Sequence, residues 1–339
     1  MIGNKVKRLP QPVLCERIKW VDAAKAVGLF LVFWGHALYG GSDVAKVINR
    51  AIYSFHMPMY FILSGYVLRP ESKSFQEFVC KKCKRLLLPT LVLYILTIPM
   101  YFHPHYLDYS TASIFSILER IFYIRGQCAF NDPIWFFICM FQILLVVKLL
   151  NLSNASNMKV AVMSVICILL SYVIYEYDMK IFSLFGFNKC VLGLFFYTFG
   201  IMIRRFKYEN NALFSCLLAL PLWIIFGVYL NIKCSMYGMK LGNFWYFIIS
   251  GIMGSIFFFF VVEKLKHMTG LCKYAKWTVF IVGTHYLLVT IFHVVALALS
   301  IKGSYFFDLA SLVFVFISLY GYKYVCLFVE KRLPTLIGE

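Results

Sequence analysis

"KAVGLFLVFWGHALYG", residues Lys25 to Gly40, has the apolar density of a membrane-spanning helix, yet it keeps a lysine and a histidine eleven residues apart. At ~100° per residue, eleven residues turn a helix through three full turns plus about 20°. Lys25 and His36 therefore share one face, about 16 Å apart along the axis. Asp22 lies three residues before Lys25 and can pair with it. Ionisable groups within a span cost roughly 2.5–3.5 kcal/mol each on insertion scales, and they face a cavity or the bundle interior. Three of them on one face point to a functional stripe. The plainer alternative has Asp22 and Lys25 snorkelling at the inner interface and His36 satisfied in the core.

Composition supports lipid as the solvent. The chain has 339 residues, of which 62% are hydrophobic, 19% aromatic and only 14% charged, whereas a soluble chain carries about 25% charged residues. About ten apolar stretches reach spanning length, near 20–40, 52–68, 86–102, 133–150, 160–176, 186–203, 213–231, 243–262, 278–300 and 306–328. The expected fold is all-α, a polytopic membrane helix bundle of about ten spans forming a single domain over 1–339. No cleavable signal peptide is expected, so the first span stays as an anchor.

The formal net charge of +18 could suggest nucleic acid, but the placement of the charges argues otherwise. With the basic arm 1–19 inside, the inside loops hold 21 Lys/Arg and the outside loops 9, with Lys25, Lys148 and Lys323 within helices. That is the positive-inside pattern, and it puts both termini in the cytoplasm. No nucleic-acid partner is expected.

The second span, "IYSFHMPMYFILSGYVL" (Ile52 to Leu68), begins with His56, and Pro58 suits the first turn of a helix. In an antiparallel hairpin the two histidines would lie at similar depth near the outer face, where imidazoles suit general-base chemistry; an interfacial capping role for His56 is the alternative. Between spans two and three, Arg69, Lys73, Lys81, Lys82, Lys84 and Arg85 form a dense inside cluster, either a phosphate-binding patch or ordinary topological anchoring. The outside loop 103–132 holds His103, His105, Asp108, Glu119, Arg120, Arg125 and Asp132, and is a candidate lid or acceptor platform, with a plain connector as the alternative. His285, a few residues into span nine from the inner side, reads as a core histidine, with a place on a path from that side as the alternative. Cys80 and Cys83 have metal-ligand spacing but lack a second pair, so no metal is expected.

Several stretches resemble the acyltransferase-3 family of integral-membrane O-acyltransferases, in its fucose 4-O-acetylase-like branch. "VDAAKAVGLFLVFWGH" (Val21 to His36) is similar to that family's aspartate, basic residue, ten residues and histidine. "SFHMPMYFILSGYVL" (Ser54 to Leu68), "KCKRLLLP" (Lys82 to Pro89) and "PIWFFICMF" (Pro133 to Phe141) resemble its next segments. Most of the family has arginine where Lys25 stands, and lysine lacks arginine's planar fork.

The resemblance implies transfer of an acetyl group from acetyl-CoA to a sugar hydroxyl of a cell-surface glycan or its lipid-linked precursor, by a multi-pass protein of a bacterial cell membrane. It implies His36 as general base with His56 beside it, Lys25 holding the donor and Asp22 orienting Lys25. Lys82, Arg85 and Arg69 would then hold the phosphates of coenzyme A. Direct transfer is favoured over an acyl-histidine intermediate. The alternatives are a small or lipid acceptor, a transporter or flippase of glycan precursors, and a non-catalytic scaffold; the oligomeric state is open.

The charge asymmetry generates a topology prediction. Reporter fusions after residues 75 and 207 should read cytoplasmic, and one after residue 115 external. An external reading at residue 75 would overturn the inside placement of the basic cluster.

Overall fold

A bilayer offers no water to backbone N–H and C=O groups, so a spanning segment must pair them within itself, and helices do so. The computed structural model describes residues 18–102, 107–108, 110–206, 212–232, 234–267 and 269–338. Their order is α1 (Lys19–Ala37), α2 (Asp43–Tyr66), α3 (Phe75–Tyr101), α4 (Ile114–Ile121), α5 (Trp135–Leu149), α6 (Asn157–Glu176), α7 (Phe187–Arg205), α8 (Ala212–Tyr229), α9 (Phe244–Glu263), α10 (Thr269–Tyr274), α11 (Thr278–Ala298) and α12 (Tyr305–Arg332). Among the described residues the β-structure is one isolated antiparallel bridge, Ser235 to Lys240. The basic residues before Ile18 and the loop histidines His103 and His105 lie outside the described residues.

Among the described residues, eight helical stretches are long and apolar enough to cross a membrane: α3, α5 with its leading turn from Asp132, α6, α7 with its leading turns from Lys180, α8, α9, α11 and α12. The ten expected spans also count α1 and α2. With 19 and 24 residues both are long enough, but the polar residues they carry dilute their hydropathy. The two helices that hold His36 and His56 are thus the least apolar of the ten.

The second helix starts earlier than the sequence suggests. Its N-cap is Ser42, whose Oγ accepts from the amides of Val44 and Ala45. Ser42 in turn donates through its amide (3.1 Å) and its hydroxyl to Asp308 at the start of α12. The α1–α2 turn is tight because Gly40 sits at φ +81°, backbone space that glycine enters at no steric cost. Pro58 therefore lies in the middle of α2 and not in its first turn. A proline inside a helix leaves the carbonyl four residues earlier without its N–H. Here that carbonyl belongs to Ser54, and the Ser250 hydroxyl of α9 donates to it at 3.4 Å.

α2 runs through the bundle against α1, α7 and α9. In lipid such packing depends on close contact more than on hydrophobic drive, so small residues mark the crossings. A Cβ on Gly65 would fall 1.9 Å from the Tyr197 carbonyl oxygen, and one on Gly200 2.0 Å from that of Ile62. The α2–α7 backbones thus touch at two glycines.

Ring and hydrogen-bond contacts fix the relative directions. Phe33 meets His285 and Ala37 meets His293, so α1 and α11 run parallel. Trp277 meets Glu330 and Phe292 meets Phe314, so α12 runs back. Lys19 and Ile337, near the limits of the described chain, therefore lie at one end of the bundle. His36 lies at the other.

The glycine crossing is open to test. Gly200→Val should abolish a monodisperse peak in detergent size-exclusion, whereas Gly321→Val, with nothing within 4 Å of its added Cβ, should elute as the parent does. An intact Gly200→Val protein would show that the two backbones do not touch as described.

Candidate active site

His36 is the penultimate residue of α1, and side chains from three other segments gather around it. Its Nδ1 is 3.3 Å from the Tyr53 hydroxyl of α2. Its ring centroid lies 5.4 Å from that of His285 and 5.5 Å from that of Tyr286, both on α11. Phe130, from the end of the long loop before α5, packs on Tyr286 at 5.5 Å. Asn131 beside it donates to the Gly283 carbonyl at 2.7 Å.

The neighbouring histidines have fixed tautomers. A helical imidazole can give its N–H to a carbonyl one turn back, leaving the other nitrogen as an acceptor. His56 Nδ1 lies 2.9 Å from the Ile52 carbonyl, and His285 Nδ1 lies 2.9 Å from that of Val282. Both histidines are buried, while His36 is half-buried. Among the described residues, His285 Nε2 and Asn131 Oδ1 have no hydrogen-bond partner although both are buried, which is uncommon in native interiors. They lie on, or against, the same turn of α11. His293 adds a further contact, its Nε2 meeting the Ala37 carbonyl at 3.0 Å.

One expectation changes here. His56 is not level with His36: Gly35 faces Asn49, Ile52 and Tyr53, which places His56 about one turn deeper, behind the Tyr53 ring at 4.9 Å. The early start of α2 is the reason. His285 is a buried core histidine, and it stands against His36. Sequence reasoning missed Tyr53, which lies three residues before His56 and so shares its face; that spacing could have revealed it.

The other end of the site is basic. Asp22 and Lys25 are half-buried on α1, and the Tyr60 hydroxyl donates to the Lys25 carbonyl at 3.0 Å. Arg69 and Arg85 are exposed and Lys82 is half-buried, its ammonium 5.4 Å from the Phe78 ring centroid. Lys84 and Arg85 fall in a π-helical turn, Cys83–Leu87, a local widening frequent at functional sites. Lys148 and Arg204 hold the preceding loop. Lys148 donates to the carbonyls of Glu71 (3.2 Å) and Lys73 (2.6 Å). Arg204 donates to those of Tyr66 (3.1 Å) and Leu68 (2.7 Å). Basic cluster, Lys25 and His36 thus follow one another along the bundle axis.

The loop behind His36 is pinned. The Tyr94 hydroxyl accepts from the Ala129 amide and donates to the Arg120 carbonyl, both at 2.8 Å. The Tyr237 hydroxyl accepts from the Cys128 amide at 3.0 Å and donates to the Asp132 carboxylate. Burial and that carboxylate push the Tyr237 phenol far up, so it stays a neutral donor. Lys189, 3% exposed, donates to the Gly126 carbonyl and sits among the rings of Tyr237, Trp135 and Tyr123 at 5.0, 5.7 and 5.8 Å. Among the described residues no group of three or more His, Cys, Asp or Glu is placed to hold a metal.

A family model described as an acyltransferase domain, that of the acyltransferase-3 family, matches residues 18–330. No curated protein and no solved structure matches the chain. The family match takes in both helices that carry His36 and His56, the basic cluster and the α11 histidines, so the chain belongs to the acyltransferase-3 family and is a multi-pass membrane acyltransferase.

Proposed function

We propose that the protein moves an acetyl group from cytoplasmic acetyl-CoA to a sugar hydroxyl of a cell-surface glycan or its lipid-linked precursor, with His36 as the general base. The observation that carries this reading is the difference among the three histidines. His56 and His285 are buried with their Nδ1 protons committed to helix carbonyls, whereas His36 keeps exposed surface and meets a side chain, Tyr53. If His36 Nδ1–H donates to the Tyr53 oxygen, Nε2 keeps a lone pair for the acceptor hydroxyl.

The step is then direct. Nε2 takes the hydroxyl proton as the oxygen attacks the thioester carbonyl; the C–O bond forms, the C–S bond breaks, and the thiolate leaves with the proton returned by the imidazolium. Tyr53 holds the ring and its tautomer, and His56 backs Tyr53 as a positioning residue. His285 presents a second lone pair to the same space.

The donor would enter from the basic end. Lys82, Arg85 and Arg69 hold the coenzyme A phosphates, with arginine the better fork. Lys25 lies between that cluster and His36, about 16 Å from the histidine along α1, a span that a pantetheine arm can bridge. Asp22, three residues before Lys25 on the same helix face, orients it. The outer side favours a lipid-linked acceptor. Helix α4 exposes Ile114, Phe115 and Leu118, with Phe122 just beyond it, and Tyr94 ties α4 to the loop behind His36. An amphipathic helix of this kind lies in the membrane interface.

His36→Gln keeps size and a hydrogen-bonding group but removes a base that typically contributes ~10²–10⁴-fold to rate. The variant should insert, bind acetyl-CoA and transfer almost nothing; normal O-acetyl levels on host glycan would leave His36 structural. Lys25→Arg should keep part of the activity, and Lys25→Ala should lose most of it.

The donor end is tested separately. Charge-assisted hydrogen bonds are worth roughly 1.5–3 kcal/mol each. Replacing Lys82 and Arg85 together by Gln should therefore raise the KM for acetyl-CoA about ten-fold or more and leave acceptor dependence nearly unchanged. An unchanged donor KM in normally inserted protein would reduce the cluster to a topology signal.

A further inference from the structure

The pinned loop 126–132 has two sides. One faces His36, through Phe130, Tyr286 and the bond from Asn131 to α11. The other faces a cleft of about 190 Å³ lined by Arg125, Gln127, Lys180, Asn188, Lys189 and Tyr237, among others. The cleft lies at the His36 end of the bundle, because α7 starts there and ends at Arg204 beside the last turn of α2.

Its lining is polar and mainly cationic, with three basic side chains against one acidic one, Asp178. Arg125 pairs with Glu119 through Nε alone, at 2.6 Å, and its side chain remains 59% exposed. The outer edge of the guanidinium, the part suited to bidentate contact with a carboxylate or phosphate, thus remains accessible. Lys180 is exposed, and its ammonium has no ion pair or hydrogen bond among the described residues. Gln127 and Asn188 add amides, and the Tyr237 ring closes the floor beside Lys189. Aromatic face, amides and cations together are what an acidic sugar ring needs. The room is that of a single ring.

We propose that this cleft is a second acceptor subsite, which binds an anionic sugar residue further along the acceptor from the one acylated at His36, its carboxylate or phosphate held by Arg125 and Lys180. This rests on the reading of the acceptor as a glycan. The loop between cleft and histidine then has one residue of the acceptor on each side. The acceptor passes around the loop, so that the reacting hydroxyl reaches His36 while the charged residue fixes the register.

Binding can be read without transfer. The full chain, purified in lipid nanodiscs, would be titrated with glucuronate, glucose 1-phosphate and neutral glucose by calorimetry. The charged sugars should bind, and glucose at least ten-fold more weakly. Binding of glucuronate alone assigns the cleft to a carboxylate, and of glucose 1-phosphate alone to a phosphate. Arg125→Gln with Lys180→Gln should weaken the charged probes about ten-fold or more. Arg125→Lys with Lys180→Arg should keep most of the affinity, which separates loss of charge from loss of fold. The His36→Gln protein should bind the probes as the parent does. Glucose binding as tightly as the charged sugars, no probe binding, or full affinity in the double Gln protein would each overturn the proposal. Charged-sugar binding in a protein that acetylates no glycan would instead sink the acetyl-transfer reading and leave the cleft an anionic-sugar site.

Discussion

An imidazole inside a helical bundle carries one N–H that must be satisfied, and the helix itself offers the nearest acceptor, a carbonyl one turn back. His56 and His285 take that acceptor. His36 Nδ1 instead meets the hydroxyl of Tyr53 on α2. The rest of the site depends on that one side-chain contact. It joins two helices at their outer ends, orients the ring toward its half-open side, and makes the position of His36 a consequence of how α1 and α2 pack. The packing is in turn tight enough to define it: a Cβ on Gly28 would fall 2.6 Å from the Met59 methyl and 3.0 Å from the Tyr60 hydroxyl.

The chemistry is spread along the bundle in a way that follows from charge. Cations are costly at mid-depth and cheap at the ends, so the basic cluster sits at the end shared by Lys19 and Ile337, where its phosphate-sized neighbours would be. Lys148 and Arg204 support the cluster from below. Neither points into the site; each gives its donors to carbonyls of the loop between α2 and α3, groups that would otherwise lack partners at the edge of the lipid. The loop that presents Arg69 is thereby fixed before any ligand arrives.

Much of this is legible in the sequence, and the remainder is hidden for definite reasons. The all-helical class, the pairing of α1 with α2 and the prominence of His36 follow from hydropathy and an eleven-residue spacing. The depth of His56 does not, because the polar residues between Asp43 and Arg50 make the first turns of α2 look like loop, while Ser42 and Asp308 cap them as helix. His285 is a contact between residues 249 positions apart, and periodicity within α11 carries no sign of its partner. Lys189 looks like one of the outer charges that balance the topology. Only the fold shows it enclosed by Tyr237, Trp135 and Tyr123.

The enclosure of Lys189 bears on how the outer loop can behave. A lysine buried this deeply requires partners on every side, and it finds them in the Gly126 carbonyl and three rings drawn from the loop, α5 and the 235–240 turn. Tyr94 and Tyr237 fix the amides of Ala129 and Cys128, and Asn131 fixes the loop to α11. At Gly126, where φ is +68°, an added Cβ would fall 2.6 Å from the Gly186 Cα, so the loop also crosses α7's leading turn backbone to backbone. A segment tied at these points to four separate elements does not swing as a hinged lid without breaking several buried contacts together. Access to His36 then has to come around this wall and not through it. A rigid wall with a histidine on one face and a cationic cleft on the other selects an acceptor by the spacing of its groups, a property that a mobile lid could not supply.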